Sequence, residues 1–482
     1  MTETVASPAT VVVAHQDQHY IGGEWVAGES GEFIDVVDPA TEEIVGRVPS
    51  GTASEVDRAA KAARAAFDTW SQTPVEERLR ILEAAVEAFK AREEDLVRVM
   101  SMEMGAPLGF SRAAQFALPL MTMETATEIL RGFEFEYEAN GVFLQREPIG
   151  VIGAITPWNF PLHQVALKVI PGLATGCTVV LKPSEVTPLS SVIFAEVLEA
   201  AGVPAGVFNL VQGAGPEVGE AIAGHPDIDL VSFTGSTRAG KRVSELASAT
   251  VKRVTLELGG KSANIILEDA DFEAAVTAGV GGCYLNTGQA CNAPTRMLVP
   301  RARLAEAEEI AKRAAEKFVA GEACDGESPL GPVTTEAGLH RVRRYIEQGI
   351  EEGAKLVTGG SEPASERGYF VKPTVFSGVT PEMTIAREEI FGPVLSILTY
   401  DTEDEAVAIA NDSEYGLGGW VWAGSVERGR EIAKRMRTGQ VYINGANIHP
   451  YAPFGGYKQS GNGREWGYYG FEECLETKAI LG

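Results

Sequence analysis

Two side chains in this sequence stand where their chemistry would be open to a reactant. Cys291 lies in NTGQACNAP, a loop of small and polar residues just ahead of the apolar run TRMLV. A thiol in such a loop can meet an electrophile, and as a thiolate it is a strong nucleophile. On these residues alone the lone cysteine is a weak candidate, and an incidental loop thiol is the stronger account. Glu257 stands in the apolar run VTLELGG. A carboxylate at the end of an apolar strand is costly unless it is paired or does chemistry, and burial raises its pKa toward the range of a general base near neutrality. A glutamate bonded to backbone amides is the competing account. The other cysteines differ. Cys177 sits inside LATGCTVVL and reads as a small core residue, Cys283 has no comparable loop, and Cys324 and Cys474 lie in polar, terminal-looking stretches and read as incidental.

A second set of residues suits a phosphorylated ligand. GAGPEVG, Gly213 to Gly219, follows the strand-like VFNLV and opens a helix near Pro216, where first-turn amides bind a pyrophosphate. Its G-x-G-x-x-x-G spacing is one residue longer than the usual dinucleotide fingerprint, and an ordinary glycine-rich turn is the alternative. FTGSTRAG, Phe233 to Gly240, occupies the next strand-to-helix junction, with Gly235 and Ser236 as backbone and hydroxyl donors. Lys182 and Glu185 close TVVLKPSE. An acidic group after a second strand pairs with a ribose diol and repels a 2′-phosphate, which favours NAD over NADP; a solvated ion pair is the bland reading. GGKS at Gly259 to Ser262 lacks the glycine that a P-loop needs where Thr255 stands, and neither HExxH nor GxSxG occurs, so no metal site and no serine hydrolase is indicated.

The elements that must position these residues follow from periodicity. Tyr20 to Val48 reads as short strands and turns, and amphipathic helices follow through Ala59 to Trp70 and Glu76 to Met100. FEFEYE, Asn140-Gly141 and VFLQRE form a projecting hairpin whose open edges call for a partner subunit. From Ile149, short β-branched runs alternate with helices through VIGAIT, TVVLK, VFNLV, LVSFTG and RVTLEL, the βαβ pattern of a doubly wound parallel sheet whose ligands gather at the carboxyl ends of its strands. A second α/β alternation follows Lys261, with strands near Ala263 to Leu267, Thr295 to Val299, Val394 to Thr399 and Val441 to Ile443.

Composition narrows the class. A chain of 482 residues holds two or three domains. Its 53 glycines exceed the usual ~7% and suggest close backbone approaches. A net charge of −26 disfavours nucleic acid and anionic membrane. Five scattered cysteines, no basic n-region and no run of ~18 apolar residues point to a cytoplasmic protein with no membrane partner.

From about Tyr20 to the C-terminus, the chain resembles the NAD(P)-dependent aldehyde dehydrogenase superfamily. The motifs stand in that family's order: PWNFP at Pro157 to Pro161, KPSE at Lys182 to Glu185, FTGSTRAG, LELGGKS at Leu256 to Ser262, GQAC at Gly288 to Cys291, EEIFGPV at Glu388 to Val394 and PFGGYKQSG at Pro453 to Gly461. The resemblance implies two doubly wound α/β domains and a small β oligomerisation arm. Residues 1–130 and 149–257 would bind NAD, residues 258–450 would be catalytic, and residues 131–148 and 465–482 would form the arm. It implies Cys291 as nucleophile, the Asn159 side-chain amide and the Cys291 N–H as oxyanion donors, and Glu257 as the base that activates water. Ile155, Thr156, Pro157, Trp158, Lys182, Glu185, Gly213, Phe233, Gly235, Ser236, Gly240, Leu258, Gly259, Glu389 and Phe391 would bind the cofactor. A moderately wide, partly polar tunnel for a small-molecule aldehyde would run past His163, Gln164, Leu167, Ala290, Asn292, Ile448, Tyr451 and Phe454, and no arginine pair marks a dicarboxylic semialdehyde site. Homodimers and homotetramers are both common in the family. A CoA-acylating enzyme and a non-catalytic member of the fold are the rivals; Glu257 argues against the first, and the joint presence of Cys291, Glu257 and Asn159 against the second.

Overall fold

The computed structural model describes residues 13–321 and 330–482, so Cys324 lies outside the described residues. The first α/β unit is an eight-stranded sheet with the order Gly461–Asn462, Arg253–Glu257, Leu230–Thr234, Val151–Ile155, Thr178–Lys182, Phe208–Leu210, Gln18–Ile21 and Glu24–Ala27. Its five central strands are parallel and the edges antiparallel. Four of these five, Val151–Ile155, Thr178–Lys182, Phe208–Leu210 and Leu230–Thr234, are buried at every position, as strands covered by helices on both faces must be. Register sets a row of residues along the carboxyl edge: Lys182 opposes Ile155, Ile155 opposes Phe233, and Thr234 opposes Glu257.

The helix Pro161–Thr175 crosses behind this edge. Proline at its first turn and left-handed Gly176 at its end fix its limits, and all fifteen of its residues are buried. Polar side chains on it therefore point into protein rather than water.

The second unit is a seven-stranded sheet, Lys355–Thr358, Thr374–Ser377, Val394–Tyr400, Arg296–Pro300, Ala263–Ile266, Gly418–Trp422 and Gln440–Ile443, parallel except at its first strand. Periodicity indicated four of these strands. It missed Lys355–Thr358, which is half exposed at an edge, the short Thr374–Ser377, and Gly418–Trp422, whose paired glycines weaken the strand signal. A three-stranded arm completes the fold: Leu475–Ile480 pairs with Val142–Pro148, which turns through left-handed Asn140 and Gly141 into Glu136–Ala139. The short strand Gly461–Asn462 brings the late chain back to the edge of the first sheet. Cys474, read as incidental, lies at the root of the arm. It is buried, and its carbonyl accepts the Cys177 thiol at 3.2 Å, because the root of the arm packs onto the core.

Candidate active site

The nucleophile loop is built from backbone that few residues tolerate. Asn286, Thr287 and Gly288 are three successive left-handed residues, at φ 53°, 56° and 73°. A β-branched Thr287 there is strained by about 1–3 kcal/mol and must be held by its surroundings. A Cβ on Gly288 would lie 2.2 Å from the carbonyl of Gly392, and one on Gly260 would lie 2.2 Å from the carbonyl oxygen of Cys291. The loop is thus clamped between LELGGKS and EEIFGPV by contacts that only glycine allows.

Hydrogen bonds complete the clamp. Asn159 Nδ2 donates to the Gln289 carbonyl at 2.9 Å, while the Asn159 carbonyl accepts from Asn286 Nδ2 at 2.8 Å and from Gln115 Nε2 at 3.1 Å. Gln289 Nε2 donates to the Asn286 carbonyl and its Oε1 accepts the Thr334 N–H. Asn159 is therefore tied by one network to the loop that carries Cys291. Gln115, Asn286 and Gln289 were not singled out from sequence, because Gln115 and Thr334 come from distant segments.

Cys291 is partly exposed. Burial of its surroundings, then the carboxylates of Glu257, Glu389 and Glu465, push its thiol well above the ordinary range. Glu257 is buried, and neither of its carboxylate oxygens has a partner. Desolvation and the neighbouring Glu465 raise its pKa well above 4.5, opposed by Lys168 and Arg464. It is therefore not the amide-bonded structural glutamate of the competing account.

Lys168 and Glu465 carry this tuning, and local sequence context pointed to neither. Lys168 comes from the buried helix Pro161–Thr175; its ammonium donates to Thr234 Oγ1 at 2.7 Å and to Glu465 Oε1. Glu465 lies 297 residues away in sequence. The only available signal was a lysine inside an otherwise apolar helix.

The presumed cofactor residues line the carboxyl edge of the first sheet. Lys182 Nζ donates to Glu185 at 2.9 Å and to the Pro183 carbonyl at 2.6 Å. Burial works against ionisation of Glu185, but the Lys182 ammonium wins and holds its carboxyl below the usual value. Ser236 caps the helix Thr237–Ala247 by accepting the Ala239 N–H. Thr156 Oγ1 is buried without a partner. Glu389 accepts the Gly260 N–H at 3.0 Å, and a Cβ on Gly259 would strike its carboxylate at 2.6 Å. Phe391, left-handed at φ 62°, meets Trp158 edge-on at 5.4 Å, which places Pro157 and Trp158 beside it. Three of the glycines expected at the cofactor are also needed by the packing, Gly235 because a Cβ there would lie 2.6 Å from the Phe233 ring. Gly213 is enclosed by Val218 and Gly51, and Gly240 by Leu258, so the protein itself fills the space a side chain would need. The open positions are Gly215, with nothing within 4 Å, and Gly219, 3.8 Å from Lys182 Cδ.

Of the tunnel residues, His163 and Phe454 flank the indole of Trp466 at 5.2 and 6.1 Å, and Leu167 lies on the same side with Trp466 in a narrow cleft. Burial, then Lys168, hold the His163 imidazole neutral, down to about 3. Gln164 is buried with an unpartnered Oε1. Ala290 is buried and Asn292 partly exposed beside the thiol, while Ile448 and Tyr451 are exposed on the outer loop. Among the described residues no helix is long and apolar enough to cross a membrane.

Known proteins match this arrangement over nearly the whole chain. The aldehyde dehydrogenase family model matches residues 25–480. A 3-succinoylsemialdehyde-pyridine dehydrogenase from a Pseudomonas species is 53% identical over 96% of this chain and 98% of its own length. The crystal structure of aldehyde dehydrogenase C from Pseudomonas syringae, a cysteine-to-alanine mutant in complex with NAD+ and octanal, is 53% identical with a TM-score of 0.96 over 98% of both chains. Betaine aldehyde dehydrogenase from Staphylococcus aureus, in complex with NAD+, is 37% identical with a TM-score of 0.93 over 96% of this chain and 94% of its own. With two α/β sheets, a clamped thiol loop and a match of this extent, the chain belongs to the aldehyde dehydrogenase family.

Proposed function

We propose that this enzyme oxidises an apolar aldehyde to its carboxylic acid with NAD+, through covalent chemistry at Cys291. The observation that carries the reading is the convergence of a clamped, partly exposed thiol, the Asn159 amide and an unpartnered buried carboxylate, Glu257. Cys291 attacks the aldehyde carbon to give a thiohemiacetal, whose oxyanion takes hydrogen bonds from Asn159 Nδ2 and the Cys291 N–H. A preplaced donor of this kind contributes about 3 kcal/mol. Glu257 then accepts the proton of the water that hydrolyses the resulting thioester. Its raised pKa makes it a strong enough base for that step once it has ionised.

The residues fit a dinucleotide. Gly215 and Gly219 leave open backbone beside Lys182, the Thr156 hydroxyl is orphaned, and ionised Glu185 can accept both hydroxyls of a ribose diol. Ile155, Thr156, Pro157, Trp158, Phe233, Gly235, Ser236 and Leu258 line the same edge, and Glu389 and Phe391 hold the end nearest the thiol. When bound, NAD+ supplies the hydride acceptor that converts the thiohemiacetal into the thioester. An apolar substrate is supported by the wall of Leu167, Phe454 and Trp466, and by the octanal bound to the Pseudomonas syringae relative. Assembly into dimers or tetramers through the arm is supported by Phe143 and Ile480, directly opposed and 40% and 46% exposed.

The test is NADH production from aliphatic, aromatic and semialdehyde substrates, with Cys291→Ala as control. Turnover of octanal, none with the variant, and a higher kcat/KM for NAD+ than for NADP+ are expected. No NADH from any aldehyde, or full activity without the thiol, would end the mechanism; a preference for NADP+ would end the role given to Glu185.

A further inference from the structure

Arg78 is 5% exposed, yet its Nε and Nη1 have no hydrogen-bond partner, and no carboxylate pairs with it among the described residues. That is unlike the other buried guanidinium, Arg296, which donates to three backbone carbonyls. The Phe135 ring, 5.4 Å from the Arg78 guanidinium, offsets only part of the cost of burying that cation. The space for it is nevertheless built: Gly176, at φ 100°, carries no side chain where a Cβ would lie 2.4 Å from Arg78 Nη1. The neighbouring thiol of Cys177 cannot neutralise it, because burial keeps that thiol protonated.

Arg78 lines a cavity of about 450 Å³ at the root of the arm. Arg146 lines it from the arm strand, with its guanidinium shared with Glu472 at 2.8 Å. Ser71, Gln72 and Thr73 form the rim, leading into the seventeen-residue helix Val75–Ala91, whose N-cap, Pro74, offers no side chain to its first amides. One carboxylate, Glu147, also lines the cavity and is paired with Lys478. A desolvated guanidinium, a second arginine and an uncapped helix start converge on one space, which is a donor set for a tetrahedral oxyanion.

We propose that this cavity is an oxyanion site for a phosphate group, free or carried by a small metabolite, bound by Arg78 and Arg146 between the first domain and the arm. The volume exceeds that of inorganic phosphate and leaves room for a short organic tail. The site is distinct from the dinucleotide edge, since none of its lining residues lies among those assigned there.

The test is calorimetric titration of the full chain with inorganic phosphate and with glycerol phosphate, at constant ionic strength and with NAD+ present to occupy any dinucleotide site. Saturable binding of one anion per subunit is expected, weakened at least tenfold by Arg78→Gln, the loss of a charge-assisted pair. Thr73→Glu, at a partly exposed rim position, keeps the test usable if the buried variant does not fold, and should weaken binding several-fold through repulsion. Tighter binding of glycerol phosphate would mark a metabolite as the source, and binding of phosphate alone the free ion. Absence of saturable binding of both, or wild-type affinity in the variants that fold, would overturn the proposal.

Discussion

The thiol and the carboxylate of the active site are held in opposite ways. Around Cys291, position is set by shape: left-handed backbone, glycines with no room for a Cβ, and amides whose partners are all within the protein. Around Glu257 the fit is looser: a Cβ on Gly455 would lie 2.7 Å from its Oε1, but no hydrogen bond fixes the carboxylate. Its oxygens are unpartnered, and its state is set by burial first and then by charges, with Glu465 on one side and Lys168 and Arg464 on the other. A nucleophile must be placed to within a fraction of an ångström. A base that takes a proton and later gives it up is better served by freedom to move and a balanced field.

Charge and shape changes should therefore act differently on the two sides. The largest effect is expected from Glu257→Gln, which keeps shape and removes the charge: a burst of NADH should survive while steady turnover falls about 10²–10⁴-fold. Loss of the burst as well would place Glu257 before hydride transfer. The same variant has a stability signature. A carboxyl whose pKa is raised by folding contributes stability that is complete below its unfolded value and is lost as pH rises through the folded one. The melting temperature of Glu257→Gln relative to wild type should thus climb from pH 5 to pH 9, and a difference that falls would contradict the raised pKa.

Next in size, Gly288→Ala adds one methyl on the thiol side. The clash with Gly392 and the left-handed φ predict a loss of about 2–4 kcal/mol in stability and roughly a hundredfold in activity, read by thermal melting and NADH production. A variant as active as wild type would mean that the loop is not held by fit. Smallest is Glu465→Gln. Removing a like charge lowers the Glu257 pKa, so the acid limb of the kcat profile should move to lower pH with at most a tenfold change in its maximum. An unmoved limb would separate Glu465 from the base.

Local context made much of this legible. The βαβ rhythm indicated the doubly wound sheets, and the contrast between a polar loop and apolar runs singled out Cys291 from Cys177 and Cys283. Glu257 stood out because a carboxylate in an apolar strand is expensive. What stayed hidden depends on distance along the chain. Lys168 and Glu465 meet across 297 residues, and Gln289 matters because Thr334 donates to it from another segment. The packing role of Gly213 was hidden for a related reason: a glycine that admits a ligand and one that admits Val218 read alike in sequence. The burial of Cys474 was not legible in its polar neighbours, because it comes from how the arm root packs.

The strand Gly461–Asn462, only two residues long, has a consequence for biosynthesis. It pairs with Leu256 and Glu257 and so covers the edge of the sheet that ends in the base. A growing chain completes Arg253–Glu257 about two hundred residues before that cover exists. During that interval the strand presents an unpaired edge, the kind of surface on which nascent chains aggregate or recruit chaperones. Completion of that edge thus waits on a late segment: a chain without Gly461–Asn462 holds the thiol and the base in one polypeptide and leaves the strand that ends in the base unpaired on one side.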